Sequence, residues 1–153
     1  MNTARFALYG PASASELSEL DMQAMNELLS TRFSKKGWTT SPEKLKAFFD
    51  DGGVLCVVRD FENGQKIVSI ACLVVTPEIV GPSCGLGYVG TAESLEGQGL
   101  ARAAILYLHD RARELKLPSI SLGVRYNNDR AIALYESLGY VRLKGYKYRL
   151  EFK

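Results

Sequence analysis

Cysteine is scarce and poorly spaced for either of its structural uses. The chain has 153 residues and three cysteines, Cys56, Cys72 and Cys84, with no Cys-x-x-Cys pair. The spacing argues against zinc, and the odd number argues against a disulfide framework. Cys56 and Cys72 lie in apolar runs and read as buried free thiols. Charge of one sign is lacking too. Nineteen Lys and Arg against 17 Asp and Glu leave a formal net charge of +2. That is too balanced for the basic stripe of a nucleic-acid binder. No apolar run is long enough to span a membrane, and the N-terminal residues lack the apolar core of a signal peptide. Repeats, linkers and low-complexity segments are also missing. These absences leave the expectation of a protein of a reducing cytoplasm, with neither nucleic acid nor membrane as partner.

What is present is the mix of a folded globular chain, 46% hydrophobic and 24% charged, at the length of one domain covering residues 1–153. Residues 5–9 read as a short strand ended by Gly10-Pro11. Leu17, Leu20, Met25, Leu28 and Leu29 then recur at helical spacing, with Ser13 or Ser15 as cap and an end near Phe33. A basic loop follows, with a solvated Lys35-Lys36 pair and the sole tryptophan, Trp38. Ser41-Pro42 opens a second helix that stops at Gly52-Gly53. Residues 54–58 form an apolar run suited to a strand buried on both faces. Asn63-Gly64 signals a hairpin, and residues 67–75 return as its second strand.

Residues 84–91 read as a glycine-rich strand. Residues 100–115 are an amphipathic helix with Leu100, Ala101, Ala104, Ile105, Leu108, Ala112 and Leu115 on its apolar face. His109 falls off that face and is expected to be exposed. Residues 120–124 alternate as a strand. Asn128 caps a short helix ended by Gly139, and the chain closes on an alternating strand through Tyr148 and Leu150. The predicted order is β-α-α-β-β-β-α-β-α-β-β, a mixed α/β domain.

The stretch Glu96-Gly97-Gln98-Gly99-Leu100-Ala101-Arg102 leads from a strand into the long helix. A helix start carries unpaired N–H groups and a partial positive charge. Two glycines and a small alanine would let a phosphate reach them. Neither G-x-x-x-x-G-K-[ST] nor G-x-G-x-x-G is present, so the two common nucleotide loops are excluded. Taken alone, the stretch could equally be a plain glycine turn.

A second segment, residues 128–140, carries Asn128, Ala131, Leu134, Tyr135, Glu136, Gly139 and Tyr140. Together the two segments resemble the GCN5-related N-acetyltransferase superfamily, with its phosphate signature [RQ]-x-x-G-x-[GA] and its later N-x-x-A-x-x-L-Y-E-x-x-G-[FY]. The likeness covers residues 54–143; residues 1–53 match only in element order. It implies a mixed, mostly antiparallel sheet flanked by helices and acetyl-CoA as co-substrate, with no metal. It also implies a small-molecule or peptide amine as acceptor and a monomer or homodimer. The strand at 84–91, with Val89 and Thr91, would splay from its neighbour and pair with the pantetheine arm. The backbone of Glu96, Gly97, Gln98, Gly99, Leu100, Ala101 and Arg102 would hold the pyrophosphate. Asn128 and Ala131 would meet the cofactor arm, with Arg130 and Arg102 within reach of phosphate. Tyr135 would give a proton to the departing sulfur. A non-catalytic acyl-CoA sensor is the alternative.

The residue types suit that chemistry. A neutral amine attacks a thioester, the developing oxyanion needs N–H donors, and a tyrosine with an ordinary pKa of ~10 still holds its proton at neutral pH. Two departures stand out. Glu96 replaces the usual Arg or Gln, and its carboxylate would repel phosphate if it pointed inward. The strand at 84–91 carries no carboxylate to act as base; Glu93, just beyond it, is the nearest, and Tyr88 or water is an alternative. Trp38 falls where the resemblance puts the acceptor.

Overall fold

The computed structural model describes residues 1–33 and 37–153; the expectation for Lys35 and Lys36 lies outside them. The elements run β1 (Phe6–Tyr9), α1 (Glu19–Arg32), α2 (Pro42–Asp50), β2 (Val54–Asp60), β3 (Lys66–Thr76) and β4 (Ser83–Thr91). After these come α3 (Leu100–Glu114), β5 (Ser119–Gly123), α4 (Asp129–Ser137), β6 (Val141–Arg142) and β7 (Lys147–Glu151). The order is the predicted one, with short 3-10 turns interspersed. The seven strands form one sheet in the order β1-β2-β3-β4-β5-β7-β6. Every neighbouring pair is antiparallel except β4 and β5.

The first helix starts later than expected. Ser13 begins only a 3-10 turn, Ala14–Glu16. Ser18 caps α1 instead, taking a hydrogen bond from the Asp21 N–H while its own N–H donates to the Asp21 carboxylate. This reciprocal capping satisfies two groups that a helix end leaves open. Leu20 is exposed, not core. It lies five residues before Met25, about 140° round the helix from it.

Strand β2 shows why an unbroken apolar run suits a central strand. Leu55 and Val57 pack under α1 and α2, whereas Cys56 and Val58 pack under α3. None of the four is more than 1% exposed. At the β2–β3 connection Gly64 has φ +59°, the left-handed region that glycine adopts freely.

Helix α3 corrects two expectations. Leu115 is exposed, and His109 is only 2% exposed. Its ring nitrogen Nε2 lies 2.9 Å from the Tyr140 hydroxyl. Tyr140 follows α4 and is itself buried, so the later chain covers a helix face that looks polar in isolation. Burial lowers the His109 pKa to about 4, which keeps the imidazole neutral at pH 7.

Candidate active site

The groove begins where β4 and β5 part. Their recorded pairing is a single register, Gly85 with Ser121. Beyond Gly85 the two strands diverge, which opens one edge of β4. The strand also bulges. Ile70 of β3 faces Gly90, but Cys72 faces Gly87, so two residues, Tyr88 and Val89, oppose one. Tyr88 takes φ +52° at this bulge. Such a bulge re-aims side chains: Tyr88 and Val89, adjacent in sequence, line different cavities.

The first cavity, of about 410 Å³, runs along the opened edge to the start of α3. Of the expected site residues, Val89, Thr91, Glu96, Gly97, Gly99, Leu100, Ala101, Arg102, Asn128, Arg130, Ala131 and Tyr135 all line it. Gln98 does not; it is an exposed residue of the turn. Arg32, Gly90, Leu95 and Leu134 also line the groove and were missed from sequence. Gly99 is the N-cap of α3, with φ +79° and no side-chain cap. The first-turn N–H groups of α3 are therefore left to whatever enters the groove. Gly97 has φ +81°, and a Cβ there would lie 3.3 Å from Arg130 Nη2. Both positions favour glycine because of their positive φ.

Glu96 neither turns into the groove alone nor points away. Its carboxylate accepts from Arg130 Nη1 at 2.8 Å and, through its other oxygen, from Arg32. One carboxylate thus bridges the end of α1 and the start of α4. The cluster keeps one net positive charge, which removes the repulsion expected of Glu96. Asn128 caps α4, its Oδ1 accepting from the Ala131 N–H at 3.2 Å. Arg102 donates to the Ser137 hydroxyl. The Thr91 hydroxyl lies 2.8 Å from that of Ser69, within hydrogen-bond distance.

Tyr135 is half-buried, its ring 5.8 Å from that of Tyr140 in an edge-on arrangement. Burial raises its pKa, so the hydroxyl keeps its proton at neutral pH. The buried cysteines are poor nucleophiles. Burial pushes Cys56 and Cys72 up to about 12 and Cys84 to about 11, and the thiol is the less reactive form.

On the other face of β4 lies a second cavity of about 350 Å³, under α1 and α2. Trp38 and Tyr88 stand 5.4 Å apart on its wall, and Phe33 touches both rings. Phe33 also packs on Gly90, where a Cβ would lie 3.2 Å from its ring. Tyr88 on one cavity and Val89 on the other are adjacent residues of the β4 bulge, which separates the two. Glu93 lines neither; it is exposed and borders a different depression beside Arg5 and Asp60.

Comparisons with known proteins agree with this geometry. A model of the Acetyltransferase (GNAT) family matches residues 22–140. The chain belongs to that family. It is 41% identical over 51 residues to YdgE of Bacillus subtilis, described as an uncharacterised N-acetyltransferase; the match covers 33% of this chain and 32% of YdgE. It is 32% identical over 95 residues to a mycothiol acetyltransferase of Thermomonospora curvata, covering 62% of this chain and 30% of that protein. The matches thus span about a third of the length of these curated relatives. YncA of Salmonella typhimurium, solved with acetyl-CoA as its cofactor, shares the fold at TM-score 0.72 and 16% identity, over 97% of this chain and 95% of that one. Among the described residues, no helix is long and apolar enough to cross a membrane.

Proposed function

We propose that residues 1–153 act as one N-acetyltransferase domain that moves an acetyl group from acetyl-CoA to a primary amine in a ternary complex. The observation that carries this reading is the groove itself, which gathers every expected site residue except Gln98. The residues fit the cofactor. Gly97 and Gly99 hold the turn before α3 at positive φ without side chains over its N–H groups, and Arg130 and Arg32 keep the local charge positive.

When bound, acetyl-CoA supplies an acetyl carbon already activated as a thioester. The first-turn N–H groups of α3 would hold the pyrophosphate, and the open edge of β4 would pair with the amide-bearing arm as an added strand does. Asn128 orients that arm while capping α4. A backbone N–H at the Tyr88–Val89 bulge would serve as donor to the acyl oxygen, where negative charge develops. Tyr135 holds a proton at its hydroxyl until the C–S bond breaks, then gives it to the sulfur. The buried thiols take no part, which supports direct transfer to the amine.

A non-catalytic sensor would use the same groove without turnover. The experiment that separates the two measures free thiol released from acetyl-CoA in the presence of mixed primary amines. Amine-dependent thiol release supports the transferase. Binding of acetyl-CoA with no amine-dependent release supports the sensor.

A further inference from the structure

The cavity under α1 and α2 has a composition that selects one kind of acceptor. Its walls are Trp38, Tyr88, Phe48, Leu45, Met25 and Leu29, closed at the base by Leu55, Ile70 and Cys72. Its volume, about 350 Å³, sits at the low end of the roughly 300–1,000 Å³ usual for small-molecule sites. Among the described lining residues there is no carboxylate. Lys44 is the charged one, an exposed residue in the first turn of α2, its Nζ donating to the Thr39 carbonyl. An amine site that reads polycations needs acidic groups to pair with each ammonium; this one offers apolar walls and a cation at the rim.

We propose that the acceptor is a compact aromatic or branched aliphatic monoamine, and that polycationic amines are excluded. This rests on reading the neighbouring groove as the acetyl-CoA site. Tyr88 lines the apolar cavity and its neighbour Val89 lines the groove, so an amine whose body fills the apolar cavity meets the bulge of β4 that separates the two. The same walls account for the missing base. An ammonium group loses its hydration on entering apolar surroundings, which favours the neutral amine. The nucleophilic form is thus selected by desolvation, its ammonium proton going to water as the amine enters; after attack the nitrogen sheds a second proton through water, which restores the one Tyr135 has given to the sulfur. A second ammonium on the same molecule would have to be stripped of water with no carboxylate to receive it, beside Lys44 of like charge.

The test uses 2-phenylethylamine against spermidine and kanamycin. Trp38, the sole tryptophan, reports occupancy by its fluorescence, independently of acetyl-CoA. Saturable quenching by 2-phenylethylamine is expected, with acetylation at a kcat/KM at least roughly tenfold above that for either polycation, the size of effect a single rim charge and an apolar wall can give. Lys44→Glu, which suits the first turn of a helix, should narrow or invert that ratio while acetyl-CoA still raises the melting temperature. Preference of the wild-type protein for spermidine or kanamycin would overturn the proposal. So would an unchanged Trp38 emission with 2-phenylethylamine while acetyl-CoA stabilises the fold. A tenfold preference for a Phe-initiated tripeptide over 2-phenylethylamine would overturn it as well, assigning the cavity to a chain terminus. If acetyl-CoA fails to stabilise the fold, the transferase reading falls, and the fluorescence titration still decides what the cavity takes.

Discussion

On the α3 side of β4, the groove is walled by backbone, glycine and a carboxylate held between two arginines. On the α1–α2 side, a cavity of comparable size is walled by indole, phenol and aliphatic side chains. One strand serves both, and the bulge at Tyr88–Val89 divides them. The difference separates two ways of building a site. Main-chain donors at a helix start recognise phosphate whatever the side chains are, so a short local motif suffices. Shape and desolvation recognise an apolar body only through side chains drawn from several elements.

The comparison can be broken most severely at Tyr135. Tyr135→Phe keeps the ring packed on Tyr140 and removes the proton, so turnover should fall by about 10²–10⁴ while acetyl-CoA affinity is nearly unchanged. Steady-state kinetics beside a binding titration checks this, and wild-type turnover would reduce Tyr135 to a packing residue. Behind it, the His109–Tyr140 pair makes the groove side sensitive to acid. The folded pKa of His109, about 4, lies below the ordinary 6.5. Its contribution is therefore complete above pH 6.5 and is lost as pH falls toward 4, because the unfolded chain takes up the proton first. At roughly 1.4 kcal/mol per pH unit the loss is at most about 3.5 kcal/mol. Urea melts between pH 7 and 4 should show a shallower decline in His109→Gln than in wild type.

Gly99→Val should remove the stabilisation by acetyl-CoA, which at a hundredfold excess over its Kd is about 2.7 kcal/mol, and leave Trp38 quenching by 2-phenylethylamine intact. An unchanged thermal shift in that variant would show the cofactor lying elsewhere. The smallest effect belongs to Glu93→Gln. Its exposed position outside both cavities predicts a loss under about tenfold, less than a positioned base gives. A hundredfold loss with cofactor still bound would make Glu93 the base.

Legibility followed the same division. The start of α3 and the Asn128 cap were readable because their determinants are consecutive residues: glycine before an amphipathic run, asparagine three residues before the alanine it caps. Arg32 was not readable as a groove residue. Sixty-four residues separate it from Glu96, and no local periodicity encodes that meeting. Helical spacing reports only the helix's own stripe, whereas the His109 ring is packed against Tyr140 and Phe152 of the later chain. The Tyr88 bulge was hidden because a tyrosine at positive φ carries no sequence signal, although the surrounding glycines marked the strand as irregular.

The single β4–β5 register at Gly85 and Ser121 has a mechanical corollary. The sheet's two parts, β1 to β4 and β5-β7-β6, are joined through a single ladder position. A molecule lying along the open edge beyond that position would act as a splint across the least-bonded seam of the sheet. Amide exchange should then slow together in β4 and β5 on ligand addition, including at positions the ligand never touches, while β1 and β2 exchange as before.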